Sequence, residues 1–210
     1  MRNSKLIIFA LLLTKIYSTM INLFNEDKIE ILFRLNGLKI MEALDRVKNY
    51  PSVDADMISE TIAQKFMIYV PQVNICNCKA TSKLMDDNQW GTCKVAVVNY
   101  SIPYTGDGEL FSFKPKLYGS STYPTVINEK FIKFKIYTDY GQVEFNEETI
   151  KNVLNQVTAI TDMIKYSLEQ LEIDCNGYNL GLKMLVHTEI TRRKTELQKS
   201  KDELDALNPY

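Results

Sequence analysis

The sequence has few of the residues on which catalytic and metal sites usually depend. It contains one histidine, His187, and one tryptophan among its 210 residues. Histidine changes charge near neutral pH and is a frequent metal ligand, so its scarcity excludes most acid–base and metal chemistry that relies on imidazole. Ser101, Asp107 and His187 can be combined into a hydrolase triad, but nothing flanks Ser101 in the way a nucleophile elbow requires. No cofactor is predicted.

A strong net charge and a long apolar run are absent as well. The 25 basic and 26 acidic residues leave a formal net charge of −1. The net charge therefore gives no electrostatic reason to expect binding to nucleic acid or to anionic membranes. An apolar run near the start, Leu6–Leu13, is too short to span a bilayer. With 45% hydrophobic and 24% charged residues, the composition is that of an ordinary globular protein.

The first nineteen residues have two interpretations. Arg2 and Lys5 precede Leu6–Leu13, and small residues near Ser18 resemble the cleavage site of a signal peptide. The alternative is that Met20 is the true start and that residues 1–19 are a mis-assigned leader. Residues 20–210 are predicted to form a single domain. We expect a cytoplasmic protein rather than a secreted one, unless residues 1–18 are a functional signal peptide.

The four cysteines leave several interpretations open. Cys78 and Cys93 could form a disulfide across a loop, whereas Cys76 and Cys78 are too close in sequence to pair readily. A zinc site would need Cys175 or His187 as a further ligand, and the Cys-x-Cys spacing is unusual for zinc. Ordinary buried thiols are the third interpretation.

The pattern before residue 146 changes from helical to extended. A helix is predicted over Asn25–Asn49, with an interruption at Asn36-Gly37, and a second helix runs from an N-cap at Asp54 to Lys65. A polar loop is predicted over Thr81–Thr92. Strands are predicted at Phe66–Cys76, Cys93–Ser101, Leu110–Leu117 and Phe131–Tyr137. Pro71 favours an edge position for the first of these.

The C-terminal third is predicted to be a helical hairpin over residues 146–207. Asn146 is a suitable N-cap, and Asn176-Gly177 is predicted to end the first helix. Ile190, Leu197 and Leu204 are seven residues apart, which is typical of a weak coiled-coil seam or of a solvated terminal helix. The fold class is therefore α+β: an antiparallel sheet of about four strands, helices on one side and a C-terminal helical hairpin.

One cluster is the candidate binding site. Its members combine a glycine-rich turn with a basic helix face: Pro103, Gly106, Asp107, Gly108, Glu109, Arg192 and Arg193. The functional interpretation is a surface that binds a partner or ligand where the turn meets the helix. The alternative is a tight turn together with a solvated, salt-bridged helix.

Two segments resemble parts of a known but uncharacterised domain of bacterial proteins. Val98–Phe111 resembles its "hydrophobic strand, I-P-[YF]-x-G-[DS]-x-x-L-[LF]" segment. Tyr178-Asn179 followed by Ile190–Lys194 resembles its closing pattern, an aromatic-Asn pair, a helix and a basic cluster. In those relatives the domain stands before a signalling or nuclease effector, often near predicted anti-phage genes. The resemblance implies a role in defence and supplies no catalytic residues.

Three functions remain open. The first is a non-catalytic scaffold or sensor that associates with a protein partner or with itself through the C-terminal helices. The second is a secreted or surface binding protein with a structural disulfide. The third is a metal-dependent hydrolase that uses acids such as Asp86, Asp87, Asp107 and Glu109.

Overall fold

The computed structural model describes residues 19–48, 50–86, 94–117, 123–138 and 143–207. Its helices are α1 (Ile29–Asp45), α2 (Ala55–Phe66) and α3 (Glu147–Leu207). Its strands are β1 (Thr19–Asn22), β2 (Asp27–Lys28), β3 (Gln72–Val73), β4 (Lys79–Asp86), β5 (Lys94–Thr105), β6 (Phe113–Lys114), β7 (Pro124–Ile127) and β8 (Phe131–Tyr137). The predicted leader, residues 1–19, lies outside the described residues except for Thr19, which begins β1.

An antiparallel sheet forms one layer of the molecule. Its strands follow the order β1-β7-β8-β5, and β3 and β4 both lie along the far edge of β5. A separate parallel pair joins β2 to β6. The α+β class is therefore confirmed, but the sheet has six strands rather than about four.

The central strands show why their sequences fold as they do. β8 has the predicted bounds, and its Ile132, Phe134 and Ile136 are buried while the lysines between them are exposed. This alternation is typical of a strand with one face on the core. β8 lies between β7 and β5, so its lysines mark a solvent-facing side rather than an edge.

The predicted loop over Thr81–Thr92 is wrong in its first half, because Lys79–Asp86 forms β4 and pairs with β5 along its whole length. Its residues from Lys79 to Leu84 are all exposed. A strand with neither face buried does not need alternating apolar residues, so no period of two marks it. Residues 87–93 lie outside the described part.

Of the predicted strand Phe66–Cys76, only Gln72–Val73 forms a strand in the structure. A one-turn 3₁₀ helix, Ile75–Asn77, follows it and separates β3 from β4. The insertion lies opposite Pro103 of β5, whose carbonyl accepts a hydrogen bond from the Asn74 amide at 2.9 Å. Pro103 has no N–H and therefore cannot donate a hydrogen bond to that edge strand. An interruption of the strand pairing at this point loses the fewest hydrogen bonds.

The predicted strand Leu110–Leu117 is also wrong over most of its length. Gly108–Ser112 forms a 3₁₀ helix, and only Phe113–Lys114 is extended. The Asp107 carboxylate accepts from the Glu109 amide at 2.9 Å and caps this helix. Leu110 and Phe111 are both buried, as a helical turn allows and an alternating strand does not.

The predicted helical hairpin is contradicted by α3, which is a single helix of 61 residues. The Asn146 side chain caps its start by accepting from the Thr149 amide at 2.8 Å. Just after the expected break, Tyr178 stacks on Phe33 with ring centroids 4.5 Å apart. Asn179 then binds both backbone groups of Ile68, at 2.9 and 2.8 Å. These contacts offset the roughly 1 kcal/mol by which glycine disfavours a helix.

The other predicted interruption, at Asn36-Gly37, is also absent. α1 runs through both residues, and the Asn36 side-chain amide donates to the Phe66 carbonyl at 3.5 Å. The short helix is confirmed closely, since the Asp54 carboxylate caps α2 by accepting from the amides of Asp56 and Met57.

The core has two parts, and α3 lines both. Cluster 1 lies between the sheet and the first half of α3, and includes Ile160, Ile164 and Leu171. Cluster 2 lies between α1, α2 and the later part of α3, and includes Leu182 and Val186. Within the described residues, no helix is sufficiently long and apolar to cross a bilayer.

We predict that Gly177→Ala and Gly181→Ala each raise the free energy of unfolding by about 0.5–1 kcal/mol, because both glycines lie inside a helix with open space around the added methyl group. Urea denaturation measures the change. Gly106→Ala is the control and should destabilise, since Gly106 has a φ of +102° and its new Cβ would lie 3.0 Å from the Pro71 Cα. If Gly177→Ala instead lowered the free energy of unfolding, that result would support a helix break at this residue, as in the predicted hairpin.

Candidate functional site

The side of α3 that faces away from the core carries exposed apolar side chains. Tyr166, Ile173, Leu180 and Met184 are exposed by 51%, 64%, 83% and 71%. Their spacing of seven, seven and four residues places them on one face of the helix. We call these four residues the outward stripe, and it is about 27 Å long at the rise of an α-helix.

The outward stripe exists because α3 does not fold back. In a hairpin, Leu180 and Leu185 would pack against the first helix of the pair, but these side chains are 83% and 54% exposed. The opposite side of the helix is already used, since Leu171, Cys175 and Leu182 are buried. Exposed apolar side chains aligned on one face of a helix favour an interaction site, whereas a single exposed apolar residue is ordinary.

Two exposed polar contacts beside the outward stripe join α2 to α3. The Lys183 ammonium lies 2.6 Å from the Glu60 carboxylate, and the His187 imidazole lies 3.5 Å from the Asp56 carboxylate. The hydrogen bond to Lys183 is the main cause that lowers the pKa of Glu60. The single histidine of the chain is therefore placed at a surface contact between helices.

The predicted basic pair, Arg192 and Arg193, belongs to a charged network that fastens α3 to the end of α1. Glu189 accepts from Arg192 at 2.7 Å and from Arg193 at 2.8 Å. Arg193 also reaches Asp45 at 2.7 Å and donates to the Tyr50 hydroxyl at 3.3 Å. The hydrogen bonds from Arg192 and then Arg193 lower the pKa of Glu189 from 4.5 to about 2.

The predicted turn has structural roles at the end of β5. Asp107 caps the 3₁₀ helix, as described above, and Gly106 supplies the positive φ. A Cβ at Gly108 would overlap the Tyr104 hydroxyl oxygen, so a larger residue there would have to displace the Tyr104 side chain. That hydroxyl donates to the Asn128 carbonyl at 2.6 Å and so joins β5 to the β7–β8 connection.

The structure does not bring the turn and the arginines together. A groove of about 730 Å³ lies between Pro103, Tyr104 and the part of α3 around Glu169. Arg193 is a further 24 residues along the same helix, which corresponds to about 36 Å. The seven candidate residues therefore form two separate structural clusters. The hydrolase triad is not assembled either, because His187 contacts Asp56.

The thiols of Cys76, Cys78 and Cys175 are free, and Cys93 lies outside the described residues. The predicted disulfide between Cys78 and Cys93 therefore stays a prediction.

Among the residues that the structure describes, no three His, Cys, Asp or Glu side chains form a metal-binding group. The acids proposed for a hydrolase are not assembled in the described part: Asp107 caps a helix, while Asp87 and the Asp86 side chain lie outside it.

Sequence reasoning missed the outward stripe, although a signal was present. Tyr166, Ile173 and Leu180 are seven residues apart, the same spacing that defined the predicted Ile190–Leu204 seam. Of that seam, Ile190 is buried in cluster 2, while Leu197 and Leu204 are 46% and 62% exposed. The assumed break at Asn176-Gly177 divided the stripe between two helices and concealed it.

We predict that Glu189→Gln lowers the free energy of unfolding by about 1–3 kcal/mol at neutral pH, because two guanidinium groups lose their charged acceptor. The folded-state pKa of Glu189 is lowered, so its stabilisation is present above pH 4.5 and is lost as the pH falls toward 2. Denaturation curves of the two proteins should converge over this window. The matched control, Glu196→Gln, removes a 61% exposed carboxylate and should cost less than about 0.5 kcal/mol. If the two variants lost equal amounts of unfolding free energy, the role assigned to Glu189 as the acceptor of both arginines would be wrong.

We predict that thiol reagents modify Cys76 first, Cys78 more slowly and Cys175 only after unfolding. Cys76 is exposed, whereas burial raises the pKa of Cys78 and raises that of Cys175 to about 11. A Cys93→Ser variant followed by peptide mass spectrometry gives the order. Counting the reactive thiols of the wild-type chain, denatured without reductant, tests the disulfide: four thiols would exclude it, and two would establish it.

Comparisons with known proteins leave the resemblance to the bacterial domain untested. No protein-family model, no curated protein and no solved structure matches this chain. The residues that carried the resemblance have structural contacts here, since Tyr178 stacks on Phe33 and Asn179 binds the Ile68 backbone. Any assignment of function must therefore come from the surfaces of the molecule itself.

Proposed function

We propose that this protein is a non-catalytic interaction module, and that the outward stripe of α3 binds a helix of a protein partner or of a second copy. The observation that carries the proposal is the set of four apolar side chains that no described part of the chain covers. Burying such side chains favours association by roughly 25 cal/mol per Å² of apolar surface, less the cost of ordering the partners.

The shape of the stripe supports a helical partner. Its residues repeat at the spacing by which an amphipathic helix presents apolar positions to another helix. Gly177 and Gly181, beside the stripe, have open space where a side chain would be, so a second helix can approach closely there. The bacterial-domain resemblance suggests the setting, a scaffold or sensor that positions a separate effector.

We predict that Leu180→Glu/Met184→Glu abolishes association while leaving the fold intact, because both side chains are exposed. A photo-crosslinking residue at position 180, expressed in the native host, should form a specific adduct that the Met184→Glu change removes. An adduct with a second copy or with another protein would support the proposal, and mass spectrometry identifies which.

The control pair is Leu197→Glu/Leu204→Glu, with the crosslinker at position 204. These residues lie on the same helix but on a different side of it, and are likewise exposed. We expect them to have no effect. Adducts at 204 without adducts at 180 would assign binding to the coiled-coil seam, and no adduct at either position would contradict an interaction through α3.

A further inference from the structure

The side of the sheet that faces away from the helices has a distinct chemistry, separate from the outward stripe. Along β8, the side chains on this side are Phe131, Lys133, Lys135 and Tyr137, which alternate with the buried Ile132, Phe134 and Ile136. The two lysines are about 7 Å apart along the strand. Tyr137 is 56% exposed.

The strand register adds two lysines of β4 to the same side. Lys133 pairs with Ser101, which pairs with Lys79, so these three residues form one row across the sheet. Lys83 lies in another row with Val97 and Tyr137. Because β5 separates β4 from β8, the two pairs of lysines face each other across about 10 Å. We call Lys79, Lys83, Lys133 and Lys135 the lysine face.

The floor between the two lysine pairs is polar toward one end. Ser101, Asn99 and Thr81 occupy positions on this side of β5 and β4 and carry uncharged hydrogen-bonding groups. Toward the other end, Val97 is fully buried. Helices α1 and α3 contribute to cluster 1 on the opposite side of the sheet, so they do not cover the lysine face.

Among the described residues, no acidic side chain lies at the strand positions of this face. At the outward positions of the described strands of the six-stranded sheet there is no aspartate or glutamate. The ion pairs of the described residues involve none of the four lysines. Lys133 instead lies 6.0 Å from the Phe131 ring centroid. Although the net charge of the whole chain is near zero, this side of the sheet is basic, and polyanions are its complementary ligands.

We propose that the lysine face binds single-stranded nucleic acid. Lysine ammonium groups neutralise phosphates and release counterions, whatever the sequence. Phe131 and Tyr137, at the two ends of the β8 row, add aromatic surfaces on which unpaired bases can stack. An acidic peptide would use the charges but not the rings. The bases of a duplex already stack on one another, so they are not available to stack on Phe131 or Tyr137. A single strand uses both features.

The test measures binding of a fluorescein-labelled deoxythymidine 12-mer to the full chain by fluorescence anisotropy at low salt. With up to four phosphates neutralised, the logarithm of the association constant should fall against that of the salt concentration with a slope of about −3. Lys133→Glu/Lys135→Glu should weaken binding about tenfold or more. The matched control, Lys39→Glu/Lys151→Glu, changes net charge equally at exposed lysines off the sheet and should preserve binding.

Tyr137→Ala separates base stacking from charge. It should weaken binding of the 12-mer severalfold while leaving heparin binding unchanged. Circular dichroism and urea denaturation establish that each variant is folded. Absence of binding at low salt, or equal losses in the sheet and control variants, would overturn the proposal. If polyglutamate displaced the labelled 12-mer as well as unlabelled 12-mer did, and Tyr137→Ala had no effect, the lysine face would be assigned to acidic proteins. That result would also overturn the proposal.

Discussion

The continuity of α3 at residues 177–179 is the constraint on which the rest of the structure depends. Asn179 binds the Ile68 backbone, and Tyr178 stacks on Phe33, so the helix is held at the junction of the two core clusters. Because Tyr178 packs against both clusters, the sheet and the pair α1 and α2 share one helix rather than two. A break at this point would separate the two halves of the core.

The same continuity determines which surfaces are free. A hairpin would have covered Leu180 with a second helix, whereas the straight helix leaves it exposed. Helices α1 and α3 pack on one side of the sheet, and the four exposed lysines lie on the other side. The outward stripe therefore belongs to the helical layer, and the lysine face belongs to the sheet. The Glu189 network stabilises this arrangement near the end of α1.

Local signals predicted the elements that local interactions determine. The Asp54 cap located α2, and the alternation of Phe131–Tyr137 gave the bounds of β8, because capping and pleating depend on residues within a few positions. β4 was not predicted because both of its faces are exposed, so its sequence does not have to alternate between apolar and polar residues. The candidate site was found only in part: the turn at Gly106 and Asp107 and the two arginines were singled out, but each has a structural role in a different cluster.

By itself the sequence determined the α+β class, the helical character of residues 147–207 and the scarcity of imidazole chemistry, since composition and periodicity depend on side chains alone. The tertiary structure decided that these 61 residues form one helix and that four lysines share one face. Asn-Gly favours a break locally, but Asn179 and Ile68 are 111 residues apart and their hydrogen bonds exist only in the folded chain. Strand pairing likewise places Lys79 and Lys133 in one row across β5, an arrangement that no local pattern encodes.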